Sequence, residues 1–210
     1  LIAVTGVGGY ATWALQQVPD FYADLMAAEV APDVRRDEAK EFSRQASELV
    51  SGVTAGDGWD AAFTQRQVNS WFIEELGGKF ADLLPDEARD PRVKIEDDAV
   101  LIGFQYTHTR WNGVVSFRVR PWVPRPNQLA LEISDIKAGS LPIPLDGVLK
   151  QVGEQFETRG WRVDWRQHEG NDVLVVDFET GRKKRSVLES VQVSEGVIRV
   201  TGRKPSAERR

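Results

Sequence analysis

The chain carries two hydrophobic periods, a helical one in its first third and a period of two through most of the rest. Phe21, Tyr22, Leu25 and Met26 recur at helical spacing and predict a helix over 18–29, with Pro19 in its first turn. Pro32 is expected to break it, and Asp33 to N-cap a second helix, Val34 to about Val50. Val34, Phe42, Ala46, Leu49 and Val53 mark its apolar face, and Arg35, Arg36, Asp37, Glu38, Lys40, Glu41 and Arg44 its wet one. This arm reads equally as a stalk that lifts a domain or as a helix packed on that domain. A short strand over Trp59–Phe63 then meets Thr64-Gln65-Arg66-Gln67, the capping-box spacing. The helix it opens carries Val68, Trp71, Phe72 and Leu76 on one face, and Gly77-Gly78 is its expected stop.

From Arg92 the period is two. Val93 and Ile95 precede an Asp97-Asp98 turn, and Val100, Ile102, Phe104 and Tyr106 line one face of a long strand. Asn112-Gly113 predicts a hairpin turn, with Val115, Phe117 and Val119 returning; Pro124, Pro126 and Asn127 predict the next turn, and Leu129, Leu131 and Ile133 the next strand. Trp161, Val163 and Trp165 alternate with Arg162, Asp164 and Arg166, which predicts burial of one face. Val173 to Phe178 is almost wholly apolar and reads as a central strand; a last hairpin turns at Ser194-Glu195-Gly196. Long strands joined by turns predict an antiparallel meander that twists and curves.

Between the two strand runs, Ser134 to Phe156 organises the expectation. Gly139, Pro142 and Pro144 break a strand, and Leu145, Val148, Leu149, Val152 and Phe156 form a helical stripe.

Composition narrows the function classes. A net charge of −5 argues against nucleic acid as a partner. The chain has no cysteine, which excludes disulfides and thiol chemistry, and its two histidines cannot build a histidine-rich metal site. Seven tryptophans call for a large core, a membrane surface or a ligand groove. Residues 1–19 are free of charge and mostly apolar; they read as the C-terminal part of a membrane anchor, with Tyr10 and Trp13 at the interface, or alternatively as a buried strand or helix.

The candidate chemistry is sparse. Asp97-Asp98 and Asp86-Glu87 fall in turns, where Asp bonds its own backbone. His108 and His168 lack a nucleophile elbow to serve, and Gly6, Gly8 and Gly9 lack the strand–turn–helix setting of a dinucleotide site. Arg182-Lys183-Lys184-Arg185 reads as a solvated turn or a contact for anionic headgroups. No catalytic residue, metal or cofactor is expected.

Two short motifs carry a resemblance. Phe63-Thr64-Gln65-Arg66-Gln67-Val68-Asn69-Ser70-Trp71-Phe72 and Ala138-Gly139-Ser140-Leu141-Pro142-Ile143-Pro144-Leu145, set around a meander, resemble the YpmS-like and LmeA-like families of membrane-anchored bacterial envelope proteins. These are similar to the tubular lipid-binding (TULIP, BPI-like) superfamily. The match runs from Trp59 to Phe156. The resemblance implies a long helix wrapped by a curved antiparallel sheet, a lipid-binding groove between them, and no catalytic residues.

The expectation is therefore an α+β protein: a curved antiparallel meander packed against amphipathic helices, behind an N-terminal anchor helix. Its parts are the anchor (1–19), a helical arm or stalk (20–56), the α+β domain (57–203) and a tail (204–210). The expected function is non-catalytic binding of a lipid or other apolar ligand on the extracytoplasmic side of a membrane. Trp71, Phe72, Leu141, Ile143, Val148, Leu149, Val152 and Phe156 are the candidate groove walls, or else part of a dry core. The alternative is a structural or assembly role, with an envelope protein partner gripped through the arm.

Overall fold

A computed structural model of the chain describes residues 13–28, 30–76, 87–109, 111–143, 162–178 and 186–204. Helices α1 (Asp20–Ala27) and α2 (Pro32–Ala55) precede strand β1 (Trp59–Thr64), helix α3 (Gln65–Trp71) and a π-helical turn, Phe72–Leu76. Strands β2 (Ala88–Ile95), β3 (Val100–His108), β4 (Trp111–Arg125), β5 (Gln128–Ala138) and the short β6 (Leu141–Pro142) follow. Strands β7 (Arg162–His168), β8 (Asn171–Asp177), β9 (Val187–Ser194) and β10 (Val197–Arg203) complete them. The large sheet has the order β2-β3-β4-β5-β8-β7, with β6 on β5; a second sheet has the order β1-β10-β9. All strand pairs are antiparallel, so the protein is α+β with the expected meander.

The two sheets meet through α3. Val68 and Phe72 pack on Val93, Ile95 and Val100 of the large sheet, joined by Val193 and Ile198 of the small one. α3 starts where the spacing predicts: Thr64 Oγ1 accepts from the Gln67 N–H at 3.2 Å, and Gln67 Oε1 accepts from the Thr64 N–H at 2.8 Å. β8 is central, between β5 and β7, and Val173, Leu174, Val175 and Val176 are all buried.

Bulges carry side chains across the pleat. Asp135, at φ 53°, sits where the β4–β5 register slips, so Ile133 and Ile136 share one face with Phe117 although they are three apart.

The structure corrects the sequence reading at four places. Pro32 does not break a helix but begins α2, in the first turn, where its missing N–H costs nothing. Of the two readings left open for α2, the contacts are those of a helix packed on the domain: the Phe42 ring lies 5.0 and 5.2 Å from those of Phe63 and Trp71. Asn112-Gly113 is not a turn but lies inside β4, paired with Thr107 and Tyr106, and Gly113 is needed because an added Cβ would stand 2.6 Å from the Leu15 carbonyl. β7 is an exposed edge strand, with Trp165 36% exposed, so its alternation does not mark a buried face.

The fourth concerns the last residues of the expected anchor. Residues 13–15 are helical, a turn follows at Gln16, and Pro19 is extended (φ −58°, ψ 137°). Ala14 is fully buried, its carbonyl accepting from the Ser140 N–H (2.9 Å) and Oγ (3.2 Å), so the chain docks on the β5–β6 corner at Ala14, whereas Trp13 and Val18 are exposed. No helix among the described residues is long and apolar enough to cross a membrane. Residues 1–12, the predicted 145–156 helix, Gly77-Gly78, Trp161, the 182–185 basic cluster and residues 205–210 lie outside the described residues.

Candidate functional site

The large sheet has two unlike faces, because cross-strand partners share a side. One carries Val100, Ile102 and Phe104 on β3, opposite Val119, Phe117 and Val115 on β4. The same register continues through Ala138 to Leu141. Along this face α3 covers the Val93–Ile95–Val100 end. At the other end Tyr106, Trp111 and Phe117 are half-buried on Ala88, Phe104 and Val115. Tyr106 and Trp111 stack at 5.3 Å.

The candidate wall residues divide accordingly. Phe72 and Leu141 lie on this one face, at opposite ends: Leu141 answers to Val115, Phe72 packs on the cluster that holds Val100, and Val100 pairs with Val119. Val119 lies four steps beyond Val115, roughly 13 Å along an extended strand. Trp71 lies between Phe42, at 5.2 Å, and Phe72, at 5.8 Å, and is half-buried. Ile143 follows Leu141, held by its N–H to the Ile136 carbonyl at 3.1 Å, and is half-buried. Val148, Leu149, Val152 and Phe156 lie outside the described residues.

The polar residues of the first motif have a structural role. β2 is an edge strand, and its outward backbone groups at two buried residues are sealed by side chains. Asn69 Oδ1 accepts from the Val93 N–H at 2.9 Å, and Asn69 Nδ2 donates to the Val93 carbonyl at 2.7 Å. Gln65 Oε1 accepts from the Ile95 N–H at 2.8 Å, and the Gly196 N–H donates to the Ile95 carbonyl at 3.0 Å.

Two clefts open elsewhere. The first, about 680 Å³, lies beside the β2 edge and is bounded by the end of α1, the start of α2, α3 and Arg92. Arg92 pairs with Gly103 and so projects on the face opposite the apolar one, where Tyr22 packs on Gly103. The Tyr22 hydroxyl donates to the Asp90 carbonyl at 2.8 Å. Burial pushes the Tyr22 phenol up to about 12, against the pull of Arg92.

The second cleft, about 460 Å³, lies between β4, β5 and β9, with Trp122 and His168 among its walls. Their ring centroids are 6.2 Å apart. On its floor the buried Glu132 accepts from Arg120 at 2.6 Å and from Asn171 at 2.9 Å. The Arg120 hydrogen bond, helped by Asn171, holds the Glu132 carboxyl below its ordinary range in spite of burial.

The remaining candidates occupy structural places. Asp97 Oδ1 accepts from the Glu195 N–H at 3.1 Å, and the Asp98 N–H donates to the Val193 carbonyl at 3.3 Å, which ties the two sheets' hairpin tips together. Among the described residues no group of three His, Cys, Asp or Glu could hold a metal ion.

No family model, no curated protein and no solved structure matches this chain. The resemblance to the YpmS-like and LmeA-like families accordingly rests on the two motifs alone. Both clefts escaped the sequence reading. Their walls come from distant strands and helices, and only the isolated arginines within apolar alternation, such as Arg92 before Val93, hinted at them.

Proposed function

We propose that this protein binds a lipid or other apolar ligand without catalysing its conversion, on the extracytoplasmic side of a membrane, tethered by apolar sequence that precedes Trp13. The observation that carries the reading is the apolar face bounded by Phe72 and Leu141. Tyr106, Trp111, Phe117 and Ile136 are half-buried there rather than sealed. Burial of an acyl chain on such a face is worth about 0.8 kcal/mol per CH₂, so a few methylenes suffice without any polar chemistry. The same face without a ligand would be the rim of a dry core.

Native mass spectrometry of the whole chain, purified in mild detergent, separates the two. A stoichiometric co-purifying lipid, lost in Leu141→Trp and in Ile136→Trp while the melting temperature holds, is the expected result. A ligand-free mass, together with no thermal shift on adding lipid, would sink the reading.

An assembly role through α2 finds less support. Val34, Val50 and Val53 are exposed, Val50 to 64%. At 100° per residue, however, Val34 and Val50 lie about 160° apart around the helix and form no common stripe. The inward side of α2, with Phe42, is already covered by the domain.

A further inference from the structure

The arginines of this fold are mostly answered by carboxylates: Arg35 by Glu74, Arg118 by Glu96, Arg120 by Glu132. Arg36, Arg89, Arg125 and Arg162 have none among the described residues but are exposed, whereas Arg92 has none and is buried. It is only 9% exposed, and its one hydrogen bond among the described residues runs from Nη1 to the neighbouring Pro91 carbonyl at 2.8 Å. No carboxylate pairs with it among the described residues. A guanidinium has five N–H donors in a rigid fork. A buried cation without a counter-ion weakens the fold unless something else compensates it. Tyr22 is not that counter-ion, since burial keeps its phenol neutral well past physiological pH.

Arg92 lines the 680 Å³ cleft, and two more arginines, Arg35 and Arg66, line it with Glu38 as the single carboxylate among the described residues. Arg66 is held to Glu38 only at 3.8 Å and is largely exposed, so it is free to swing to a ligand. Leu25, Val30 and Ile73 supply an apolar wall beside these charges. We infer that this cleft is an anion site that takes a phosphate group, Arg92 gripping two of its oxygens side by side and Arg66 closing over it from the rim. A planar fork matches two phosphate oxygens in a way that a water molecule or a chloride ion does not. The phosphate belongs either to a lipid headgroup or to a free phosphate compound. The inference does not rest on the apolar face: the cleft lies beside the β2 edge, and its lining includes neither Phe72 nor Leu141.

The test is titration of the full chain with inorganic phosphate, and separately with phosphatidylglycerol and phosphatidylcholine vesicles, by calorimetry and by the NMR resonance of the Arg92 Nε–H. Saturable binding that shifts this resonance supports the site. Binding of inorganic phosphate points to a free compound, and binding of phosphatidylglycerol vesicles alone points to a headgroup. Arg92→Met is expected to lower affinity roughly 10- to 100-fold, the value of a charge-assisted bidentate contact, and to raise the melting temperature of the unliganded chain. Arg66→Gln, on the surface, leaves the fold intact and is expected to lower affinity about 3-fold, as exposed contacts do. Arg199→Gln, remote on β10 and paired with Asp60, changes nothing. No binding to either probe overturns the inference, as does equal binding by Arg92→Met and Arg66→Gln. Lipid retention on the apolar face in Leu141→Trp is scored independently, so the two readings fail separately.

Discussion

Asn69→Ala tests whether a single side chain closes the edge of the large sheet. Asn69 satisfies both outward backbone groups of Val93, which is buried, and also donates to the Gln65 carbonyl at 2.9 Å. Alanine leaves the Val93 N–H and carbonyl unpaired under α3. Each such group costs about 1–3 kcal/mol when it is cut off from water. Alanine's better helix propensity returns at most about 0.7 kcal/mol. Partial access of water to the opened edge brings the net loss to about 2–4 kcal/mol, against a total stability of about 5–15 kcal/mol. For a chain of this size that lowers the melting temperature by roughly 5–15 °C. Gln65→Ala removes only the acceptor of the Ile95 N–H and should cost about half as much. Urea unfolding followed by tryptophan fluorescence gives the free energies, and amide exchange at Val93 gives the local effect. If Asn69→Ala falls within about 0.5 kcal/mol of the parent and Val93 stays as protected, the side-chain seal is not what stabilises this edge.

Two further changes probe other contacts. Gly139→Ala drives a Cβ into the Ala14 carbonyl, at a residue with φ 60°, and should release the segment around Ala14. Limited proteolysis would then cut within that segment; an unchanged digest and melting curve would refute the docking. Glu132 is a carboxylate held below its ordinary range by Arg120, so its contribution is full at neutral pH and is lost as the pH falls below about 4.5 through the folded value. Glu132→Gln should therefore cost about 1–3 kcal/mol at pH 7 and progressively less toward pH 3. A difference that stays constant over that range would show that the charge is irrelevant.

Local chemistry was legible in the chain. The Thr64–Gln67 capping box, the doubly buried run Val173–Val176 and the turns at Asn127 and Gly196 depend on neighbours within a few residues, and the structure places each as read. What failed did so where a distant contact overrode a local preference. Asn112-Gly113 would turn on its own, but Leu15 comes to rest over Gly113 and the chain turns earlier, after His108. The alternation at 163–165 matches a buried strand, yet β7 falls at the sheet edge, because strand order is set by how β8 pairs on both sides. The apolar run up to Pro19 looks equally suited to lipid or to protein. Only the docking of Ala14 against Ser140 assigns that residue to protein. Hydrophobicity by itself determines that a residue leaves water, and the tertiary structure decides what it leaves water for. The same holds for charge: nothing in the sequence around Arg92 sets it apart from the arginines that find carboxylates, and only the packing of α1, α2 and α3 around it made it the one buried without such a partner among the described residues.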